Sequence, residues 1–218
     1  MSGDLHPVVI QGRIVSSVGP CPMRPLIQEL QQALAKTPDS KHLAILRGVT
    51  DLFLNGAATY SQQHIAIFDD VISHLIEKIE RPAVIELSGK LATVGNAPAG
   101  VIARLSRDND IAVAGPILER SDRLPDETLV EIANTKSQHH LSAIARRTRI
   151  SEAVANALID RGDANVILNV ARNEGASLSD VGFVKLINRS RSDQNLAAAL
   201  AVRKDLPTEL RPFLDLHV

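Results

Sequence analysis

Asp70, His74 and Glu77 fall at i, i+4 and i+7, a spacing that sets two carboxylates and an imidazole along one face of a helix, as a metal ion requires. The opposite face of that segment carries its whole apolar stripe, so this is also the side that water is expected to wet, and no metal is assigned to it. His139 and His140 are adjacent, and neighbouring helical residues point about 100° apart. Joint chelation is therefore excluded, and one ring is expected to be packed and the other exposed. Arg161-Gly162-Asp163 spells an adhesion tripeptide, but Gly162 is placed to end one helix and Asp163 to cap the next. Asn188-Arg189-Ser190 fits a glycosylation acceptor by chance, and Ser88-Gly89-Lys90 lacks the glycine-rich run of a phosphate loop. No Gly-x-Ser-x-Gly, paired Cys-x-x-Cys or His-Glu-x-x-His occurs. These absences argue against an enzyme and assign neither a catalytic residue nor a cofactor.

Arginines give the stronger lead. Arg120, Arg146 and Arg172 each lie two residues past an apolar residue that recurs in the second half of the chain, and Arg203 lies three past its own. Equivalent positions of a repeat line up, so the four are expected to form a row. A cation near a helix C-terminus gains about 0.3–1 kcal/mol from the helix dipole. Asp110, Asp163 and Asp193 open the first helices of three repeats and are placed to pair with arginines next door. A structural ladder is therefore the favoured reading of the row. The alternative is a binding edge for an acidic protein segment or a phosphate backbone.

The elements that would position this row follow from apolar spacing. Leu91, Leu118, Ile144, Val170 and Leu200 are followed six to eight residues later by Ala97, Leu124, Ile150, Leu178 and Leu206. Eight residues further on come Leu105, Ile132, Leu158, Leu186 and Leu214. After the middle member stands a helix starter: Pro98, Pro125, Ser151, Ser179 or Pro207. The step between copies is 26 to 30 residues, too long for a heptad and too short for a domain, so each copy is read as one helix pair of a stack. Leu54, Tyr60, Ser61 and Phe68 repeat the internal spacings 37 residues earlier.

Residues 1–24 differ from the rest. Val8, Val9, Ile10, Ile14 and Val15 are β-branched, and Gly12, Gly19, Pro20 and Pro22 break helices, which predicts an extended N-terminal segment. Residues 25–218 read as a helical-repeat domain. Leu26, Ile27, Leu30 and Leu34 share a face of its first helix, a second runs from Asp39 to Leu54, and Ser61 opens a longer third. Shorter helices follow Pro82, for about thirteen in all. The predicted core includes Leu118, Leu129, Ile132, Ile144, Leu158, Leu186 and Leu200.

Composition restricts the function classes. The chain of 218 residues carries a net charge of -1, with 8 basic and 9 acidic residues in 1–100 and 16 of each in 101–218. No global field draws it to nucleic acid or to an anionic membrane. Four Phe, one Tyr and no Trp leave little with which to stack bases. A single cysteine, Cys21, excludes an internal disulfide framework. With no secretory signal pattern and no 18-residue apolar run, the expected location is the cytoplasm.

The segments VTDLFL, FDDVISHLIEKI, NAPAGVIARLSRDNDIAVAGPILERSDRL, LVEIANTKSQHHLSAIARR, ALIDRGD and RKDLPTELRPFL carry a family resemblance. In order and spacing, over about residues 25–216, the chain resembles the bacterial family of uncharacterised proteins known as domain of unknown function 2336. Ala155 and Asn156 stand where that family usually has Thr-Asp. The resemblance implies an all-α fold, an α-α superhelix similar to HEAT-type repeats, and implies no reaction.

The expected function is a non-enzymatic scaffold that presents a helical stack to a protein partner. The alternative is nucleic-acid binding through the arginine row, by analogy with HEAT-like repeat DNA glycosylases, though the balanced charge makes nucleic acid the less favoured partner. Leu206, Leu210, Phe213, Leu214 and Leu216 leave the last repeat without an obvious polar outer face. That end is expected to be covered by a second copy of the chain in a homodimer, by a partner, or by downstream residues.

Overall fold

The computed structural model describes residues 39–215, which form twelve helices joined by short turns. In chain order they are α1 (Asp39–Gly56), α2 (Gln62–Ile76), α3 (Arg81–Leu91), α4 (Ala99–Ser106), α5 (Ile111–Arg120) and α6 (Asp126–Thr135), then α7 (Gln138–Ala145), α8 (Glu152–Arg161), α9 (Ala164–Arg172), α10 (Asp180–Ser190), α11 (Gln194–Ala201) and α12 (Arg211–Asp215). Among the described residues there is no strand, and the one extended pairing is an isolated parallel bridge between Ile150 and Ala176. The predicted extended segment 1–24 and the predicted helix carrying Leu26 to Leu34 lie outside the described residues.

Most helices start where a side chain can satisfy their first N–H groups. Ser61, Ser151 and Ser179 cap α2, α8 and α10, and Asp110, Asp163 and Asp193 cap α5, α9 and α11, each accepting from a backbone N–H of the first turn. Pro98 precedes α4 and has no hydroxyl or carboxylate to offer. Asp69 of α2 supplies it instead, accepting from Gly100 N at 2.8 Å and Val101 N at 2.7 Å. A cap borrowed from the preceding helix pair makes the start of α4 depend on tertiary packing. A Cβ at Gly100 would stand 2.7 Å from Asp69 Oδ2, so a side chain here would push that carboxylate away from the N–H groups it caps.

Helices pack chiefly on the next but one. α3, α5, α7, α9 and α11 form one continuous series, each in contact with its successor. On the other side α2 packs on α4, and α6, α8, α10 and α12 follow one another. Consecutive helices such as α4 and α5, or α10 and α11, join the two series. One apolar cluster runs from Leu46 to Leu214 between them.

The apolar triplets are the spine of that cluster. Leu91, Leu118, Ile144, Val170 and Leu200, and likewise Leu105, Ile132, Leu158, Leu186 and Leu214, are all buried. Of the middle members, Ala97, Leu124, Ile150 and Leu206 are buried and Leu178 is half-buried. Leu129 completes the predicted core set, and every member of it is buried. In the longer earlier copy, Leu54, Tyr60 and Phe68 are half-buried; Tyr60 stacks on the buried Phe53, and Phe68 meets it edge-on.

Gly162 ends α8 as expected, but for a different reason from the left-handed cap that its type suggests. Its backbone is extended, with φ -67° and ψ 142°. A Cβ here would come within 2.5 Å of Leu158 O and 2.6 Å of Val166 Cγ1, so close packing of α8 on α9 is what requires glycine. At the C-terminal end the apolar residues divide. Leu206 and Leu214 are buried, whereas Phe213 is 54% exposed beside the exposed Val184. Leu216 lies outside the described residues.

Candidate functional site

Arg120, Arg146 and Arg172 occupy one edge of the series α5, α7, α9: each is the last residue of its helix or the cap that follows it. All three side chains are exposed. Arg146 donates to Ser142 Oγ at 3.2 Å and stands 3.8 Å from Glu119 of the preceding pair. Neither the Arg120 nor the Arg172 side chain has a hydrogen bond or ion pair among the described residues. Of the three, Arg146 alone pairs with an acid of the preceding pair.

Arg203 does not belong to this row. It is 5% exposed, and its guanidinium donates to the carbonyls of Ala171, Asn173 and Ala176 at 2.8–3.1 Å. Its remaining N–H groups reach both carboxylate oxygens of Asp205, at 2.8 and 2.6 Å, and the cation lies 5.8 Å from the centre of the Phe183 ring. The reason is register. Two residues past Leu200 stands Val202, which is 80% exposed and is the true counterpart of Arg120, Arg146 and Arg172.

Arg203 instead heads a second set, three residues past each marker: Ser121, Arg147, Asn173 and Arg203. Arg147 is buried and donates to Leu118 O at 2.7 Å and Ser121 O at 2.9 Å. Asn173 donates to Ala145 O at 3.0 Å and Arg147 O at 2.7 Å. Each closes the carbonyls left open where the preceding pair's helix ends. Burial depresses the Arg147 pKa from its ordinary value, opposed by the nearby Asp122 and Asp126 carboxylates. These residues were missed at the sequence level. Their signal was present, because the three-residue offset of Arg203 equals that of Arg147 and differs from that of Arg146.

Along the exposed edge other charges alternate. Arg123, Arg149 and Lys204 are exposed, and so are Asp122 and Glu174. Where the edge reaches α11, Arg172, Glu174, Lys204 and Val202 surround a surface cavity of about 260 Å³ floored by Ala171 and Ala199.

Of the remaining candidates, Glu77 and His140 have structural partners, whereas His74 Nε2 is buried without a hydrogen-bond partner among the described residues. Glu77, the third member of the helical face with Asp70 and His74, pairs with Arg104 of α4 at 3.0 Å. Among the described residues no group of three or more His, Cys, Asp or Glu side chains could hold a metal ion. His139 is exposed and His140 buried. The His140 ring bridges two pairs: Nε2 lies 2.9 Å from Asp108 O, which can only accept, so Nε2 carries a proton. Nδ1 lies 2.8 Å from Ser137 Oγ. Asp110 pairs with Arg81 at 3.3 Å as expected, whereas Asp163 is bonded through its backbone N–H to Gln138. No described helix is long and apolar enough to cross a membrane.

No curated protein and no solved structure matches the chain. The family resemblance is upheld over a narrower stretch than 25–216, and one that includes the whole arginine edge: residues 113–214, from α5 into α12, match the model of the family described as uncharacterised protein conserved in bacteria, domain of unknown function 2336.

Proposed function

We propose that the chain is a non-enzymatic interaction scaffold: a cytoplasmic, HEAT-like solenoid in which stacked helix pairs form an α-α superhelix and present one edge to a protein partner. The next-but-one packing of helices carries this reading, since it is how a repeat array turns a short motif into an extended surface. Arg120, Arg146 and Arg172 supply the edge with exposed guanidinium groups. A photo-crosslinking residue at position 146 tests it in cells. Specific adducts with a protein are expected, and none above the level of a control at an exposed position of α10 would overturn the reading. Arg146→Glu, with the crosslinking residue moved to the exposed position 149, separates structure from binding: a loss of adducts at unchanged stability marks a binding edge, and a loss of stability marks a ladder.

The second reading is nucleic-acid binding by the same edge, favoured by the two arginines that no carboxylate among the described residues neutralises. Duplex DNA bound with an affinity that falls steeply with salt would promote it. For the C-terminal end, with Phe213 and Val184 exposed, a homodimer is the cover we propose. Light scattering over a range of concentrations reads that directly.

A further inference from the structure

The edge has a distinct end. Three successive helix pairs place arginine two residues past the marker, and the fourth places Val202 there, 80% exposed, beside the cavity that Arg172 and Lys204 flank. Resting on the scaffold reading, we propose that this cavity anchors an acidic peptide segment through one aliphatic side chain. The side chain sits against Val202, Ala171 and Ala199, while flanking carboxylates bind Arg172 and Lys204.

Size and charge select this occupant. At about 260 Å³ the cavity is at or below the lower end of small-molecule sites, which run from about 300 to 1,000 Å³, so one side chain fits where a cofactor does not. The floor is aliphatic and no ring lines the cavity for base stacking, since the nearby Phe183 is buried beneath Arg203. Two cations remain for a ligand. Asp205 is occupied by the buried Arg203, whereas Arg172 and Lys204 are exposed and have no ion-pair partner among the described residues. Glu174 on the rim repels a uniform phosphate backbone running along the edge. A peptide can space its carboxylates to meet Arg172 and Lys204 and avoid Glu174 and Asp205, which also lines the cavity. Guanidinium also suits carboxylate through two parallel hydrogen bonds.

The test is fluorescence anisotropy on the full chain, with a labelled peptide in which one leucine is flanked by aspartates on both sides. Its leucine-to-serine version and a duplex DNA of similar charge serve as controls. The expected result is saturable binding of the leucine peptide that weakens about tenfold in Arg172→Ala and again in Val202→Asp. Both residues are exposed, and circular dichroism melting checks that both variants fold. The serine peptide should lose less affinity than the leucine peptide between wild type and Val202→Asp, because it feels only the repulsion of the new carboxylate and has no aliphatic contact to lose. The proposal is overturned if the two peptides bind alike, if Arg172→Ala has no effect, or if DNA binds more tightly than the leucine peptide. Should the peptide fail while position 146 still crosslinks to a protein, the cavity assignment falls and the scaffold reading stands. Failure of both removes both.

Discussion

Neighbouring helix pairs are stitched together by different chemistry in the two halves of the molecule. From α1 to α6 the charged links are ion pairs at the surface, Arg47 with Glu86, Lys90 with Asp51, Arg81 with Asp108, Arg104 with Glu77 and Arg107 with Glu131, beside the Asp69 cap of α4 and the buried bond from Ser88 Oγ to Val113 O. From α5 to α11 they are chiefly donors on backbone carbonyls, provided by the buried Arg147 and Arg203 and the half-buried Asn173, with the exposed Arg146–Glu119 and Lys185–Asp160 pairs as additions. Both devices span one repeat. They differ in cost and in sensitivity. An exposed pair contributes about 0–1 kcal/mol and is screened by salt. A buried donor is hard to remove, because the carbonyls that it leaves behind have lost water as well. The C-terminal half is therefore expected to resist salt and acid, and the N-terminal half to respond to both.

The largest effect is expected from removing a buried arginine. Arg203→Ala leaves three carbonyls and Asp205 without their donor, and should cost about 3–5 kcal/mol. Urea denaturation followed by circular dichroism reads this, and a loss below about 1 kcal/mol would erase the contrast between the halves. Leu158→Ala provides a packing control, with an expected cost of about 2–5 kcal/mol at a side chain with no exposed surface. An unchanged denaturation midpoint there would mean that the repeat register is wrong.

A medium effect is expected at the borrowed cap. Asp69→Ala removes two acceptors from the start of α4 and should cost about 1 kcal/mol, with Asp69→Asn retaining part of it. Amide hydrogen exchange should speed up in α4 and leave α9 unchanged. Equal acceleration in both helices would mean that the stack opens as one unit.

Arg81→Ala should cost less, below about 1 kcal/mol, and the difference from wild type should shrink further in high salt. A salt-independent loss as large as that of Arg203→Ala would show that the surface pairs are as strong as the buried links.

Acid gives the finest discrimination. The hydrogen bond from Arg81 holds the Asp108 carboxyl below its ordinary value of 3.8, and Arg107 does the same for Glu131 below 4.5. A depressed carboxyl stabilises the fold above its unfolded pKa, and that contribution fades as pH falls through the folded one. Exchange in α3 and α4 is thus expected to rise below about pH 4, ahead of α7 and α9, whose arginine–carbonyl links lose no charge on acidification. Simultaneous loss in both regions would break the comparison.

Much of the fold was legible because burial in a helix leaves a period in the sequence. The apolar triplets, the serine and aspartate caps and the helix breaks at Gly56 and Gly162 are local choices, made within a turn or two of chain, and each appears where its residue type requires. The candidate row was legible in part for the same reason: helix-end residues at equal offsets from Leu118, Ile144 and Val170 share an edge. Arg203 shows where that reasoning stops. One residue of register turns a helix-end side chain through about 100°, enough to carry it from solvent into the seam between pairs. Composition could not reveal that shift, because an arginine is equally at home on the surface or spanning open carbonyls. Likewise nothing near Pro98 announced that its helix would be capped by Asp69, some thirty residues earlier in the chain. Helical segments and the faces they bury could be read from the chain alone, since both depend on neighbours within a few residues. Which charged side chains face water and which close the ends of other helices emerged from the packing of one pair on the next, where those partners meet.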